Sequence, residues 1–246
     1  MSITEEELEI FSRQLILKDF NEDKFNELQN KEISIIGLGG IGCPLAQYLI
    51  SCGVKKLNIF DGDTIQKTNL NRQNLYSIND IGKKKSTIAK KKLLGTNPNA
   101  KINSYDLKIT NKNLHLLNNS SIIIDASDNW ESMRLINKYA TKHNLPLLSI
   151  SVIGFDIQII LFENTLHNHL CLECIFPNYN EQVLARCDTV GIMGTAAGLA
   201  GVISAQKTIN FLLKFDEKIN ILTLVDVKLL SISHIKTKKN INCKLQ

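Results

Sequence analysis

The segment Gly37-Leu-Gly-Gly-Ile-Gly42 restricts this chain more than any other stretch of it. It lies between a short apolar run, Glu32-Ile-Ser-Ile-Ile36, and a helical pattern carried by Leu45, Leu49 and Ile50 and stopped by Gly53. Glycines between a strand and a helix permit a tight turn. They also let backbone N–H groups approach a phosphate or ribose, while the helix N-terminus favours negative charge. A second apolar run, Leu57-Asn-Ile-Phe60, ends at Asp61, 19 residues after Gly42. A carboxylate at that point is placed to hold ribose hydroxyls. A glycine motif alone is weak evidence, since a tight turn without a ligand has the same pattern. Strand, helix and acid in register predict a Rossmann-type nucleotide site using Gly37, Gly39, Gly40, Gly42 and Asp61.

The pattern continues as alternating elements. A polar segment covers 61–80, a Lys-rich helix is expected near 81–94, a strand near 101–106 and a helix near 111–118. Ser121-Ile-Ile-Ile124 reads as a strand ending at Asp125, followed by a helix over 130–143 and the strand Leu147-Leu-Ser-Ile-Ser151. Alternation of this kind predicts an α/β fold with a doubly wound, mainly parallel sheet. Past Ser151 the pattern changes. Ile157-Gln-Ile-Ile-Leu-Phe162 has no room before it for a crossover helix, so antiparallel pairing is expected. A long loop, about 163–190, then carries three cysteines, and loops of that length in a compact domain are usually functional. A helix of small residues over 190–213 and strands over 219–226 and 228–235 complete the reading. The expectation is a single domain over 1–246: a helical arm (1–28), a nucleotide-binding half (29–152) and an antiparallel half (153–246).

Composition narrows the functional classes. The 246 residues are 43% hydrophobic and 22% charged, an ordinary globular mix that excludes disordered and fibrous classes. A net charge of +5 is too small to argue for nucleic acid. The acidic start, MSITEEELEIF, lacks the basic and apolar regions of a secretory signal. A reducing, cytoplasmic compartment is the expectation, so the six cysteines read as metal ligands, nucleophiles or apolar residues rather than disulfides. Thr189–Gln206 has no charge, but its Gly and Ala content suits a closely packed buried helix better than a membrane span.

Four arginines stand among the 29 basic residues, which makes each one informative. A nucleoside triphosphate carries about four negative charges and needs cationic clamps that a redox dinucleotide does not. Past Asp61 come Asp63, Asn69-Leu-Asn-Arg72-Gln73 and Lys83-Lys84-Lys85. Arg72, with a planar fork suited to phosphate, and one of the lysines would supply the clamp. A solvated helix face is the bland alternative for these lysines. Asp125-Ala-Ser-Asp128-Asn129 ends a parallel strand, where ligands of open α/β sheets sit. Asp128 there is placed to hold Mg2+ against phosphates, and Asp128 or Asn129 also suits an N-cap.

These motifs, with Ser12-Arg13-Gln14, Cys171-x-x-Cys174 and Cys187-x-x-x-Gly191, resemble the ThiF/MoeB/HesA family of ubiquitin-activating-like adenylyltransferases in type and order, over about residues 8–246. The resemblance implies ATP-dependent adenylation of the C-terminal Gly-Gly carboxylate of a ubiquitin-like sulfur carrier. The glycine loop and Asp61 would hold adenosine. Arg72 and Lys85 would neutralise phosphate, Asp128 would bind Mg2+, and Asn69, Gln73 and Asn129 would shape the site. Arg13 would reach the triphosphate from the second subunit of a homodimer. Cys187 matches a position that carries sulfur or joins the carrier in the ThiF branch, and an idle loop cysteine is its alternative. The family's structural Zn2+ uses two C-x-x-C pairs. Here Cys171 and Cys174 form the first and Cys243 alone represents the second, so His167 or His169 completes the site or the site is lost. Ser151-Val-Ile-Gly-Phe155, Gln158 and the Cys174–Cys187 spacing look more like ThiF, which implies a ThiS-type carrier of thiamine thiazole synthesis, with a MoaD-type molybdopterin carrier as alternative. The sulfur would come from a separate donor, a cysteine desulfurase or rhodanese-like protein. An NAD-dependent oxidoreductase and a non-catalytic carrier-binding module are the more distant alternatives.

Overall fold

A two-residue link decides how the sheet changes character. Gly154 and Phe155 join β5 (Leu147–Ile153) to β6 (Asp156–Phe162), and two residues can only make a hairpin, so this pair is antiparallel. A computed structural model of the chain describes residues 3–164, 170–177, 191–215, 219–243 and 245. Before the hairpin come β1 (Glu32–Ile36), β2 (Lys56–Phe60), β3 (Lys101–Tyr105) and β4 (Ile122–Asp125); after it come β7 (Ile221–Asp226) and β8 (Ser231–Lys236). The sheet order is β3-β2-β1-β4-β5-β6-β7-β8, parallel from β3 to β5 and antiparallel from β5 to β8. The expected α/β fold, a doubly wound parallel sheet with an antiparallel continuation, is the one observed.

The helices are α1 (Glu5–Leu15), α2 (Glu22–Asn30), α3 (Gly42–Ser51), α4 (Lys85–Thr96), α5 (Trp130–Lys142), α6 (Leu172–Ile175) and α7 (Gly194–Leu213). Strand alternation separates two cores. Ile33, Ile35, Leu57, Ile59 and Ile124 pack with Phe25, Leu45, Leu49 and Ala200 on one face. Ile36, Phe60, Ile123 and Ile160 pack with Trp130, Met133, Ile136 and Leu172 on the other. The second face also carries a polar row at the ends remote from the glycine loop, buried at Asn58, Ser34 and Ser120 and open to solvent at Asn103. Asn103 donates to Asn58, Asn58 donates to Glu32, and Ser34 pairs with Ser120 at 2.7 Å. A fully connected row of this kind avoids the cost of stranded polar groups inside a sheet.

Several element boundaries differ from the sequence expectation for local reasons. The Lys-rich helix starts at Lys85 rather than 81, because Gly82 adopts φ +83° and Lys84 pairs in a β-bridge with Thr64. The segment 111–118 forms one turn of 3₁₀ helix, Leu114–Leu117. The small-residue helix begins at Gly194, and the long loop contains the short α6 in its described part. The last two strands are offset by a turn in which Leu230 takes φ +52°. No described helix is long and apolar enough to cross a membrane. The small side chains of α7 instead allow close approach to α3: a Cβ on Gly201 would lie 2.5 Å from the Ile41 carbonyl oxygen.

Candidate active site

The strand order reverses between β1 and β4, and the two connections leave in opposite directions there. That divergence opens a crevice at the carboxyl ends of the strands. The loops after β1 and β4 meet at its floor. Gly37 has φ +91°, and a Cβ on it would sit 2.6 Å from the Ala126 carbonyl oxygen. A Cβ on Gly42 would sit 1.9 Å from the Gly37 carbonyl oxygen, so the turn tolerates no side chain there either. Above this floor lies a pocket of about 610 Å³.

Sequence-expected residues converge on it. Gly37, Gly39, Gly40, Asp61, Asp63, Arg72, Gln73, Lys85, Asp128 and Asn129 all line the pocket. Gly42 lies beneath it, inside α3. Asn69 is not part of the lining. Its side chain accepts the Gln66 amide at 2.9 Å and its carbonyl accepts the amides of Arg72 and Gln73, so it shapes the turn that presents them. Arg13 is exposed near the end of α1 and does not line the pocket of its own chain. Cys187, His167 and His169 lie outside the described residues.

The charges are arranged in layers. Asp61 is buried; its Oδ2 accepts the Leu38 amide at 2.8 Å and its Oδ1 accepts the Asp63 amide at 2.9 Å. Burial raises its pKa above the usual carboxylate range, against the opposing pull of Lys85. The Lys85 ammonium, 8% exposed, lies 3.3 Å from Asp63 Oδ2 and 4.0 Å from Asp61 Oδ2. Burial acts to raise the Asp63 pKa too, but Lys85 and Lys108 more than offset it and hold that carboxyl low. Lys83 and Lys84 point elsewhere, to Asp80 and Asp106. Arg72 donates from one guanidinium nitrogen to Thr68 and Asn71 at 3.1 and 2.9 Å. These bonds brace the fork from one side while it lines the pocket.

On the opposite wall, Asn129 caps α5 by accepting the Ser132 amide, which leaves Asp128 exposed beside it. Asp125, wholly buried behind them, accepts both the amide and hydroxyl of Ser127. Burial pushes its pKa up to about 6, with Ser127 opposing and Asp128 adding to the rise. Gln73 is 4% exposed and its Oε1 has no partner among the described residues, an acceptor awaiting a donor at the pocket wall. The sequence reading missed Ser149 and Ser151 of β5, Lys108, and the apolar wall of Trp130, Met133, Leu172 and Phe176. The two serines share a face by strand periodicity at the end of a parallel strand, which is a usable signal. The apolar wall has none, because wall and core side chains are chemically alike.

A second cluster lies beside that wall. Cys171 Sγ is 3.8 Å from Cys174 Sγ and 3.5 Å from Cys243 Sγ. A zinc ion with bonds of about 2.3 Å holds its thiolates roughly 3.8 Å apart, so the three sulfurs fit three corners of a tetrahedron. Burial, aided by the neighbouring thiols, pushes the Cys171 thiol up to about 12; burial acts to raise Cys174 too, but hydrogen bonds from the Asn240 and Cys171 backbone and from the neighbouring thiols outweigh it and lower that thiol. α5 fixes this knuckle: Asn137 accepts the Leu172 amide at 2.9 Å, and Arg134 grips Glu173 at 3.0 Å.

Residues 11–245 match the ThiF family. The sulfur carrier protein adenylyltransferase of Thermus thermophilus is 30% identical over 249 residues, covering 99% of this chain and 92% of that protein. The sulfur carrier protein ThiS adenylyltransferase of Escherichia coli is 30% identical over 219 residues, covering 89% and 86%. A Drosophila virilis adenylyltransferase and sulfurtransferase, MOCS3, is 32% identical over 214 residues, and the chain spans about half of its length (47%). Among solved structures, Escherichia coli MccB in complex with MccA-N7isoASN superposes with a TM-score of 0.83 at 22% identity, covering 97% of this chain and 74% of that one. That likeness is one of fold.

Proposed function

Since the chain belongs to the ThiF family, we propose that its pocket adenylates the C-terminal glycine of a ubiquitin-like sulfur carrier. One observation carries the reading. A single crevice gathers the glycine loop, Arg72, Lys85 and Asp128 with Ser149 and Ser151. Asp61 and the glycine loop hold the ribose and adenine end. A carrier carboxylate oxygen attacks the α-phosphorus, the bond from that phosphorus to the bridging oxygen breaks, and pyrophosphate leaves with the electron pair. The carboxylate is already ionised at neutral pH, so no general base is needed. Catalysis rests on alignment and on fixed charge. Arg72 and Lys85 neutralise the charge that shifts toward the leaving group. Lys85, held between two carboxylates, is already ordered for that task. Asp128 would hold Mg2+, which would supply further positive charge beside the phosphates.

The finer reading has a ThiS-type carrier, with a MoaD-type carrier as the alternative. A separate sulfur donor then acts on the adenylate, with Cys187 as the candidate thiol. Cys171, Cys174 and Cys243 would hold structural Zn2+. The enzyme works as a homodimer in which Arg13 serves the second site, a reading supported by Ile16 and Leu17 beside it, 75% and 57% exposed. A reducing cytoplasm suits the free thiols of Cys43, Cys52, Cys171, Cys174 and Cys243.

The test is exchange of labelled pyrophosphate into ATP, run separately with ThiS-like and MoaD-like carriers. Arg72→Ala is expected to abolish exchange with the fold intact by circular dichroism, and retained exchange would refute its role. NAD binding without exchange would return the chain to the oxidoreductases. ATP binding without exchange would favour a carrier-binding module.

A further inference from the structure

Tyr76 does not line the pocket, yet it joins two of the elements that do. Its ring is 7% exposed. Its hydroxyl donates to the Leu38 carbonyl oxygen at 3.0 Å and lies 3.5 Å from the Lys85 carbonyl oxygen. The Cys43 thiol donates to the same Leu38 carbonyl at 3.3 Å. The Leu38 amide, in turn, is held by Asp61. Both backbone polar groups of Leu38 are therefore held, between Gly37 and Gly39. Gly39 and Gly40, next in the chain, form the pocket floor. Lys85 opens α4 and sends its ammonium into the other side of the pocket. One buried hydroxyl thus touches both the glycine loop and the base of the lysine helix.

We propose that Tyr76 is a positioning residue for nucleotide binding. It holds the glycine loop and Lys85 at one separation, with Cys43 as the second support of the loop, and so sets affinity without touching the nucleotide. The inference rests on reading the pocket as an ATP site. A hydroxyl can be removed from Tyr76 while its ring stays in the core, so Tyr76→Phe isolates the role.

The experiment measures the ATP dissociation constant by calorimetry in the presence of magnesium, together with melting temperatures with and without ATP. Loss of one buried hydrogen bond predicts an ATP affinity roughly three- to tenfold weaker in Tyr76→Phe. The rise in melting temperature on adding ATP should shrink accordingly. Cys43→Ala should move both quantities the same way by less, because a thiol is the weaker donor. A purely structural hydroxyl would lower the ligand-free melting temperature and leave ATP affinity unchanged. If the wild-type protein binds ATP and Tyr76→Phe binds it equally well, the proposal is overturned. If Tyr76→Phe does not fold, Cys43→Ala decides, and wild-type affinity there overturns it. If the wild-type protein does not bind ATP, the reading of the pocket fails first.

Discussion

Two glycines three residues apart on α7 should respond to the same substitution in opposite directions. Gly201 lies against α3: an added Cβ would sit 2.5 Å from the Ile41 carbonyl oxygen, 2.6 Å from the Pro44 ring and 3.0 Å from the Leu45 nitrogen. Backbone and proline ring cannot swing aside, so Gly201→Ala must push the helices apart. Overpacking of that kind costs about 1–3 kcal/mol, while Gly→Ala in a helix by itself returns up to about 1 kcal/mol. Two contacts this short favour the upper part of the range, for a net loss of about 1–2 kcal/mol. Gly198 has nothing within 4 Å of its added Cβ, so Gly198→Ala keeps the propensity gain. The two variants should then differ by roughly 2–3 kcal/mol, about 4–12 °C in melting temperature for a chain of this size. Thermal denaturation followed by circular dichroism checks the difference. Because Ile41 belongs to the glycine loop, Gly201→Ala should also weaken ATP binding, which Gly198→Ala should not. If both variants shift stability the same way, close packing of α7 on α3 is not what small residues are for here.

Two other outcomes are expected. Burial raises the Glu7 pKa, but hydrogen bonds from Lys55, Thr4 and Gln29 and the Lys55 charge override it and bring it from 4.5 down to about 2. A depressed folded pKa gives stability that is complete above about pH 4.5 and is lost as pH falls toward 2. With Lys55 partly exposed the gain is on the order of 2 kcal/mol. Urea denaturation of Glu7→Gln against wild type from pH 6 to pH 3 should show the gap close on acidification, and a constant gap would refute the assignment. For the thiol cluster, protein reconstituted with cobalt(II) should show intense thiolate charge-transfer absorption that weakens in Cys243→Ala, with less zinc bound per chain by elemental analysis. Unchanged absorption would remove Cys243 from the ligand set.

The parts of the site that follow from local pattern were legible in the sequence. The glycine turn, Asp61 at the next strand end and Asp128 past a third are each fixed by chain-local geometry: a strand must end before its ligand groups can reach the crevice. Scarcity of arginine singled out Arg72, which lines the pocket. Lys85 was set apart from Lys83 and Lys84 by the family resemblance alone, since the pattern placed all three in one helix; the structure starts that helix at Lys85 and leaves the other two before it. Strand type was readable as well, since Gly154 and Phe155 leave no room for a crossover.

Tertiary structure decided whatever depends on two distant segments meeting. Cys243 reaches Cys171 across 72 positions only because the end of the chain returns to the face held by α5. The union of Leu38, Cys43, Asp61 and Tyr76 needs β1, β2 and the turn after Arg72 brought together, and nothing in the spacing of a tyrosine announces it. The apolar wall of Trp130, Leu172 and Phe176 is likewise invisible in sequence, because hydrophobic burial has no direction and the same side chains serve a core or a pocket. The sequence determined which groups stand at the strand ends, because backbone geometry is local. Folding alone determined which of them share a charge or a carbonyl, or bring their sulfurs together, because those relations are set by distance in space.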